Sequence, residues 1–249
     1  MTIPLIVFAA AVVMITVELL HPARKWPKVA AWWLRAIAFN AVQVGVAYLA
    51  AYGWDGWMQA HQPPWAGPVQ THLGVTAQAA VGYVVITFIY YWWHRWRHES
   101  TFLWRVFHQF HHSPQRIEVV TSFYKHPLEI LANGILSSTI LYFLVGVTPQ
   151  AAAYAVLLTG LAELFYHWNV STPYWLGFVI QRPESHCIHH MQGHHRQNFA
   201  DLPLWDMLFG TFHNPRKWEA RCGFGEDEHR LGEMLRCVDL TPRKPQKPG

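Results

Sequence analysis

The sequence is poor in charge. Only 14% of its 249 residues are Asp, Glu, Lys or Arg, against roughly 25% in a soluble domain. A shortage of that size excludes an ordinary water-soluble domain. Cysteine is scarce too. Cys187, Cys222 and Cys237 are odd in number and lack paired spacing, which excludes a disulfide framework and points to reduced thiols. No Cys-x-x-Cys-His occurs, so the chain attaches no haem of its own. No His-Glu-x-x-His occurs either, which removes the common helix-borne zinc hydrolase. Nucleic-acid motifs are absent, and no nucleic-acid partner is expected. The +4 net charge sits in short basic clusters beside apolar runs, a pattern suited to anionic lipid headgroups.

What is abundant is apolar and aromatic. Hydrophobic residues make up 52% of the chain, and its 14 Trp and 10 Tyr suit membrane–water interfaces. Residues 3–20 form an apolar run broken by Thr16 and Glu18. At about 1.5 Å per residue it nearly crosses a hydrocarbon core. It lacks a basic leader and a small-residue cleavage site, so it reads as a retained helix. A basic connector with Arg24, Lys25 and Lys28 follows. Residues 29–52 and 75–93 are further candidate spans, while 53–74, with three prolines and no Lys or Arg, reads as a loop. Residues 128–147 and 151–165, joined by Thr148-Pro149-Gln150, read as an apolar hairpin, and 172–180 as an interfacial segment.

These readings predict an all-α integral membrane protein, with four to five apolar helices and a cytosolic helical cap. The whole chain, 1–249, forms one membrane domain. Three membrane helices occupy 1–93, a first cytosolic histidine segment 94–127, a membrane hairpin 128–167, a cap 168–239 and a disordered tail 240–249. The positive-inside rule places the N-terminus outside and the histidine-rich segments on the cytoplasmic face.

The 17 histidines are not scattered. His94 and His98 stand at i, i+4 where the third span ends. His108-Gln-Phe-His111-His112 follows, and the spelling returns as His186-Cys-Ile-His189-His190. Residues at i, i+3 and i+4 share a helix face, so each box can aim two or three imidazoles at one point. Imidazole suits Zn, Cu, Fe or Ni at neutral pH. Eight such ligands are too many for one ion and about enough for two. A dinuclear metal site is expected.

The set His-x3-His, His-x2-His-His and His-x2-His-His, with apolar pairs before and between, resembles the fatty acid hydroxylase / sterol desaturase superfamily. The likeness extends through Asn198-Phe199 to Leu204-Trp205-Asp206-Met207-Leu208-Phe209-Gly210-Thr211. The resemblance implies a membrane-bound, non-haem di-iron oxygenase that hydroxylates or desaturates a lipid, with O₂ as co-substrate. Electrons would come from a separate carrier, of the cytochrome b5, ferredoxin or rubredoxin kind. Zinc can replace the two irons in a purified protein of this type. Its ligands carry over to His94, His98, His108, His111, His112, His186, His189 and His190. It also implies His167, in Phe165-Tyr166-His167-Trp168-Asn169, as a ninth. Ser171 stands where some members carry a further His, and Ala200 where Gly is frequent. His126, His194 and His195 are the substitutes for a tenth ligand.

Carboxylates are few near the boxes. Glu163 lies one turn before His167 in an apolar stretch, where a bond to a liganding imidazole would hold its tautomer. Glu163 and Asn169 are the candidates for such supporting roles, with Glu129, Asp201 and Asp206 behind them; helix capping is the competing role for the two Asp residues. A desaturase on the same site is the alternative activity. From another class, a metal-binding membrane protein or transporter would place its ligands near the bilayer midplane, whereas these boxes lie at one end of the spans.

Overall fold

The computed structural model describes residues 2–194, 196–217 and 221–241. All regular structure among them is helical, with a lone antiparallel bridge between Met191 and Cys222. In order the helices are α1 (Thr2–Leu20), α2 (Trp32–Tyr52), α3 (Trp54–Ala60), α4 (Ala66–His72), α5 (Val75–Glu99), α6 (Thr101–Leu103), α7 (Gln109–His112), α8 (Pro127–Ser138), α9 (Pro149–Tyr166), α10 (Pro183–His189), α11 (Pro203–Leu208) and α12 (Leu231–Met234). Two π-helical stretches, Trp104–His108 and Thr139–Val145, interrupt the series.

Three segments are long and apolar enough to cross a membrane by length and composition: Trp32–Ala60, Val75–Glu99 and Pro127–Val145. The apolar stretch of α1 that qualifies is shorter, Leu5–Leu20. Much of α1 and α2 turns Leu, Ile, Val and Phe side chains outward, with Phe8 67% and Leu34 72% exposed. Water would penalise such faces; a bilayer solvates them.

The bundle is held by close approach and by polar contacts inside it. α5 lies along α9 and touches the π-helical stretch before it. Gly82 permits this, since a Cβ there would sit 2.9 Å from Leu141 Cδ2 and 3.5 Å from Ala155 Cβ. Small residues serve the same purpose wherever lipid gives helices no hydrophobic reason to associate. Asn133 accepts from Trp93 Nε1 at 2.9 Å, and its carbonyl from the Tyr90 hydroxyl at 2.7 Å. These bonds tie α5 to α8.

Two expectations need correction. Residues 53–74 are not a plain loop. α3 continues directly from α2, and α4 comes next. Trp54 Nε1 donates to Ser138 Oγ at 3.0 Å, and Met58 is buried against the hairpin. The scarcity of charge there reflects packing against the bundle rather than loop composition. Leu240 and Thr241 are also held in the fold rather than part of a disordered tail. Leu240 is 7% exposed in an apolar cluster, and Trp104 Nε1 donates to Thr241 Oγ1 at 2.6 Å. Residues 242–249 lie outside those described.

Candidate metal centre

α5 runs without a break from the apolar bundle through His94 and His98, whose rings stand 5.2 Å apart, centroid to centroid. The second box rides on an irregular helix. Trp104–His108 is a π-turn, His108 leaves helical geometry at φ −129, and α7 then carries His111 and His112. The third box lies on α10, started by Pro183 in its first turn. His167 comes directly after the last residue of α9.

These elements gather nine histidines into two groups. His94, His98, His108, His112 and His189 form one; His111, His167, His186 and His190 form the other. Within each group the candidate ligand atoms lie within 4.8 Å of one another. The two boxes exchange their middle members. His108 and His112 face one point while His111 turns to the other, and His189 crosses in the opposite sense. The groups touch where the rings of His112 and His190 stack at 4.2 Å.

The donor set fits metal ions, and the hydrogen bonds say why. His94 Nδ1 faces the Phe199 carbonyl at 2.6 Å, His111 Nδ1 that of Tyr124 at 3.3 Å, His167 Nδ1 that of Glu163 at 2.9 Å and His189 Nδ1 that of Gln197 at 2.8 Å. A carbonyl only accepts, so each Nδ1 carries the proton and each Nε2 is a bare lone pair. His108 Nδ1 lies 3.0 Å from the Glu129 carboxylate and 3.2 Å from the Arg97 guanidinium. The Nε2 atoms converge, 3.2 Å apart for His108 and His112, 3.3 Å for His111 and His167, 3.1 Å for His167 and His186, and 3.0 Å for His186 and His190. His111 and His167 both keep the Nδ1 proton on a carbonyl, so their Nε2 lone pairs face each other and repel unless a cation lies between them. A metal–nitrogen bond of about 2.0–2.1 Å would separate neighbouring ligand nitrogens by about 3.0–3.4 Å. His94 Nε2 is buried with no hydrogen-bond partner. Burial, together with neighbouring imidazoles and cations, pushes His108, His111, His112 and His186 well below the usual histidine range, and burial takes His167 down to about 3. All are therefore neutral, the form that binds metal.

The supporting residues are in part those expected, by other contacts. Glu163 orients His167 through its backbone carbonyl, while its carboxylate pairs with Lys125. Asn169 is bonded to the connector after α1. Its side chain accepts from Arg24 N at 3.1 Å and donates to Arg24 O at 2.8 Å. Glu129 is the carboxylate that reaches a grouped histidine, and it also pairs with buried Arg97. Asp206 does not cap a helix. It accepts from Phe199 N at 2.8 Å, Ala200 N at 2.9 Å and Thr211 Oγ1 at 2.7 Å, fixing the carbonyl that orients His94. Asp201 bonds to Tyr166, and burial raises its carboxyl to about 7. Tyr166 in turn lies 4.3 Å from the His186 ring.

Among the described residues, neither His126 nor His194 joins a group. His126 accepts from Leu128 N at 3.1 Å and donates to Leu235 O at 3.3 Å, so its ring nitrogens serve the start of α8 and the segment after α12. His194 bonds Gln197 Oε1 at 3.0 Å, and His195 lies outside the described residues. Sequence reasoning missed Gln181, whose amide is 2.8 Å from His186 Nδ1, and Trp104, which lies against His98 and His112 at 5.1 and 5.2 Å. Neither carries a spacing signal, because the contacts arise from long-range packing.

The fatty acid hydroxylase family pattern matches residues 79–211, more than half of the chain. The chain belongs to this family. All nine grouped histidines fall inside the matched residues. The ornithine lipid hydroxylase OlsE of Rhizobium tropici is 33% identical over 142 residues, 55% of this chain and 42% of that protein. The sphingolipid C4-hydroxylase sur2 of Schizosaccharomyces pombe is 28% identical over 130 residues, 51% of this chain and 44% of its own. Human alkylglycerol monooxygenase is 30% identical over 131 residues, 51% and 28% respectively. The chain thus spans less than half the length of these three relatives. No solved structure matches it.

Proposed function

We propose that the chain is a membrane-bound di-iron hydroxylase that inserts oxygen into a C–H bond of a lipid-type substrate, fatty acyl, sterol or isoprenoid. The observation that carries this reading is the pair of all-imidazole groups, five and four histidines, built at one end of a bundle of membrane-length apolar helices. The hydroxylase and monooxygenase relatives support it, and favour hydroxylation over desaturation.

Two iron ions held by the nine histidines, with O₂ and two electrons from a separate electron-transfer protein, would supply the oxidising chemistry. The chain's own residues do the rest. Backbone carbonyls hold protons on Nδ1 and keep Nε2 free for metal, and Glu129 with Arg97 orients His108. The aromatic walls Trp104, Tyr166 and Phe199 keep bulk water away, which strengthens local electrostatics. The apolar helices offer a lipid chain the solvent it prefers.

In the membrane, α1, α2, α5 and the hairpin of α8 and α9 form the embedded part, with the histidine segments and residues 168–239 as a cytosolic cap and the N-terminus outside. Arg24, Lys25 and Lys28 lie at the end that carries the histidines, and the Lys/Arg-free 53–74 region at the other.

Comparing lipid extracts of cells that express the protein, with and without oxygen, tests the reading. A lipid heavier by one oxygen is expected in air alone, and lost in His111→Ala and His189→Ala variants. Identical extracts across a broad lipid survey, or full activity in either variant, would overturn it. A zinc-filled preparation does not, because zinc takes the same nitrogens without the redox chemistry.

A further inference from the structure

Two elements beyond the last long helix carry an apolar surface of their own. Trp175, Phe178 and Val179, in and just after the single turn Tyr174–Phe178, are exposed, Trp175 to 64%. So are Leu204, Met207 and Leu208 of α11, Leu208 to 62%, with Phe209 after them. Water penalises such faces here as it does on α1 and α2. The two stretches are neighbours. α11 packs on the turn, and the Phe178 and Phe212 rings stand 5.7 Å apart.

The level of α11 is set by α5. Trp205 Nε1 donates to Thr87 Oγ1 at 3.1 Å, and the Trp205 ring lies 5.0 Å from that of Phe88. Phe209 lies 5.2 Å from Tyr91 and 4.8 Å from Trp92. All four partners belong to the membrane-length segment Val75–Glu99 and precede His94. Thr87 comes seven residues before that histidine, about 10 Å along the helix axis. α11 therefore flanks the apolar part of α5 rather than standing beyond the histidines. Val81, Val84 and Phe88, on one face of α5, are exposed as well. Apolar surface thus runs without a break from the span onto α11 and on to the turn.

We propose that α11 and the turn Tyr174–Phe178 form a collar seated in the bilayer, its apolar side chains against the acyl chains of the leaflet beside the metal centre. Continuity with the outward face of α5 identifies lipid as the occupant. The composition agrees. Tyr174 and Trp175 suit the boundary between acyl chains and water. Arg95, 5.5 Å over Trp92, and Arg216, 4.3 Å over Tyr174, border the surface at the level of headgroups. α11 is also two-faced, as interfacial helices are. Asp206 turns inward to accept from Phe199 N and Ala200 N, while Leu204, Met207 and Leu208 turn outward. The collar is thereby joined to the loop whose carbonyl orients His94. The inference rests on α5 spanning a membrane, and holds whatever reaction the histidines support.

Spin labels on the full chain, reconstituted in phosphatidylcholine vesicles, supply the test. Cys237→Ser first removes the one cysteine that is not buried. A nitroxide is then attached at Leu208→Cys or Trp175→Cys. Val44→Cys, exposed in the middle of α2, serves as the lipid reference, and Glu226→Cys, an exposed acid, as the aqueous one. Paramagnetic resonance compares collisions with oxygen, which concentrates in lipid, and with a water-soluble nickel chelate. The oxygen-to-nickel ratio at Leu208 and Trp175 is expected to exceed that at Glu226 and approach that at Val44. Met207→Cys and Val179→Cys replace either variant that fails to fold. A ratio like that of Glu226 at either position, with Val44 still in lipid, overturns the collar and leaves the spans intact. Collisions with neither reagent mean that protein, such as a second copy of the chain, covers the surface, which also overturns it. Nickel access at Val44 removes the membrane reading itself.

Discussion

At the residue scale, the centre depends on which way each imidazole faces. His111 and His189 have the same place in the two repeated boxes, yet each joins the group that holds the two outer histidines of the other box. Removing either should therefore empty one position and spare the other. Elemental analysis of His111→Ala and His189→Ala should find about one metal per chain, against about two in the parent. Loss of both metals from each variant would mean that the groups fill only as a unit. Glu129 bears on the same centre from outside. Its carboxylate meets His108 Nδ1 and pairs with Arg97, and both acid and cation are buried. Glu129→Gln keeps the shape but leaves Arg97 without its counter-charge, a change that commonly costs about 3–5 kcal/mol in a buried pair. Metal affinity should fall about 10–100-fold, as for other partners that orient a liganding histidine. Competition with a chelator of known affinity measures it, and unaltered affinity would remove Glu129 from this role.

At the scale of elements, the position of the centre rests on α5 and its packing partners. Gly82 brings α5 close to Leu141 and Ala155, which aligns the His94 end of α5 with His167 after α9. Gly82→Val should force these helices apart at about 1–3 kcal/mol, read as a lower melting temperature in detergent, with Gly82→Ala in between. An unchanged melting temperature for the valine variant would show that the contact yields freely. The π-turn Trp104–His108 is a second device of this kind. Such turns recur at functional sites because the extra residue re-aims the side chains after it. Here the second box departs from regular helical geometry at His108, the residue that opens it. Simple i, i+3, i+4 counting puts all three histidines of the box on one face, and the structure separates them.

At the scale of the whole molecule, nine histidines whose ring nitrogens converge in two buried groups make the metal-free state costly. Ligand that binds only the folded chain stabilises it by mass action, about 2.7–4.1 kcal/mol at 100 to 1,000 times its dissociation constant. Stripping metal with a chelator should thus lower the melting temperature, and adding iron back should restore it. A melting temperature indifferent to metal would contradict the fit of the two groups to ions.

The sequence alone determined the helical class, the apolar runs and eight of the nine histidines, because helical periodicity and box spacing are local properties; the ninth, His167, came from the family resemblance. The sequence also placed α5 correctly as one helix running from the apolar layer into His94 and His98. Tertiary structure decided the partition into five and four, since two segments far apart in sequence must meet before His111 and His189 can exchange. It decided the partners of Nδ1 as well. Four of these are backbone carbonyls of Phe199, Tyr124, Glu163 and Gln197, and every residue has a carbonyl, so composition cannot single them out. For the same reason Asn169 and the Glu163 carboxylate, near His167 in sequence, turn to Arg24 and Lys125, while Glu129, far from His108 along the chain, reaches it. Spacing reveals which side chains can act together; only packing supplies the groups that orient them.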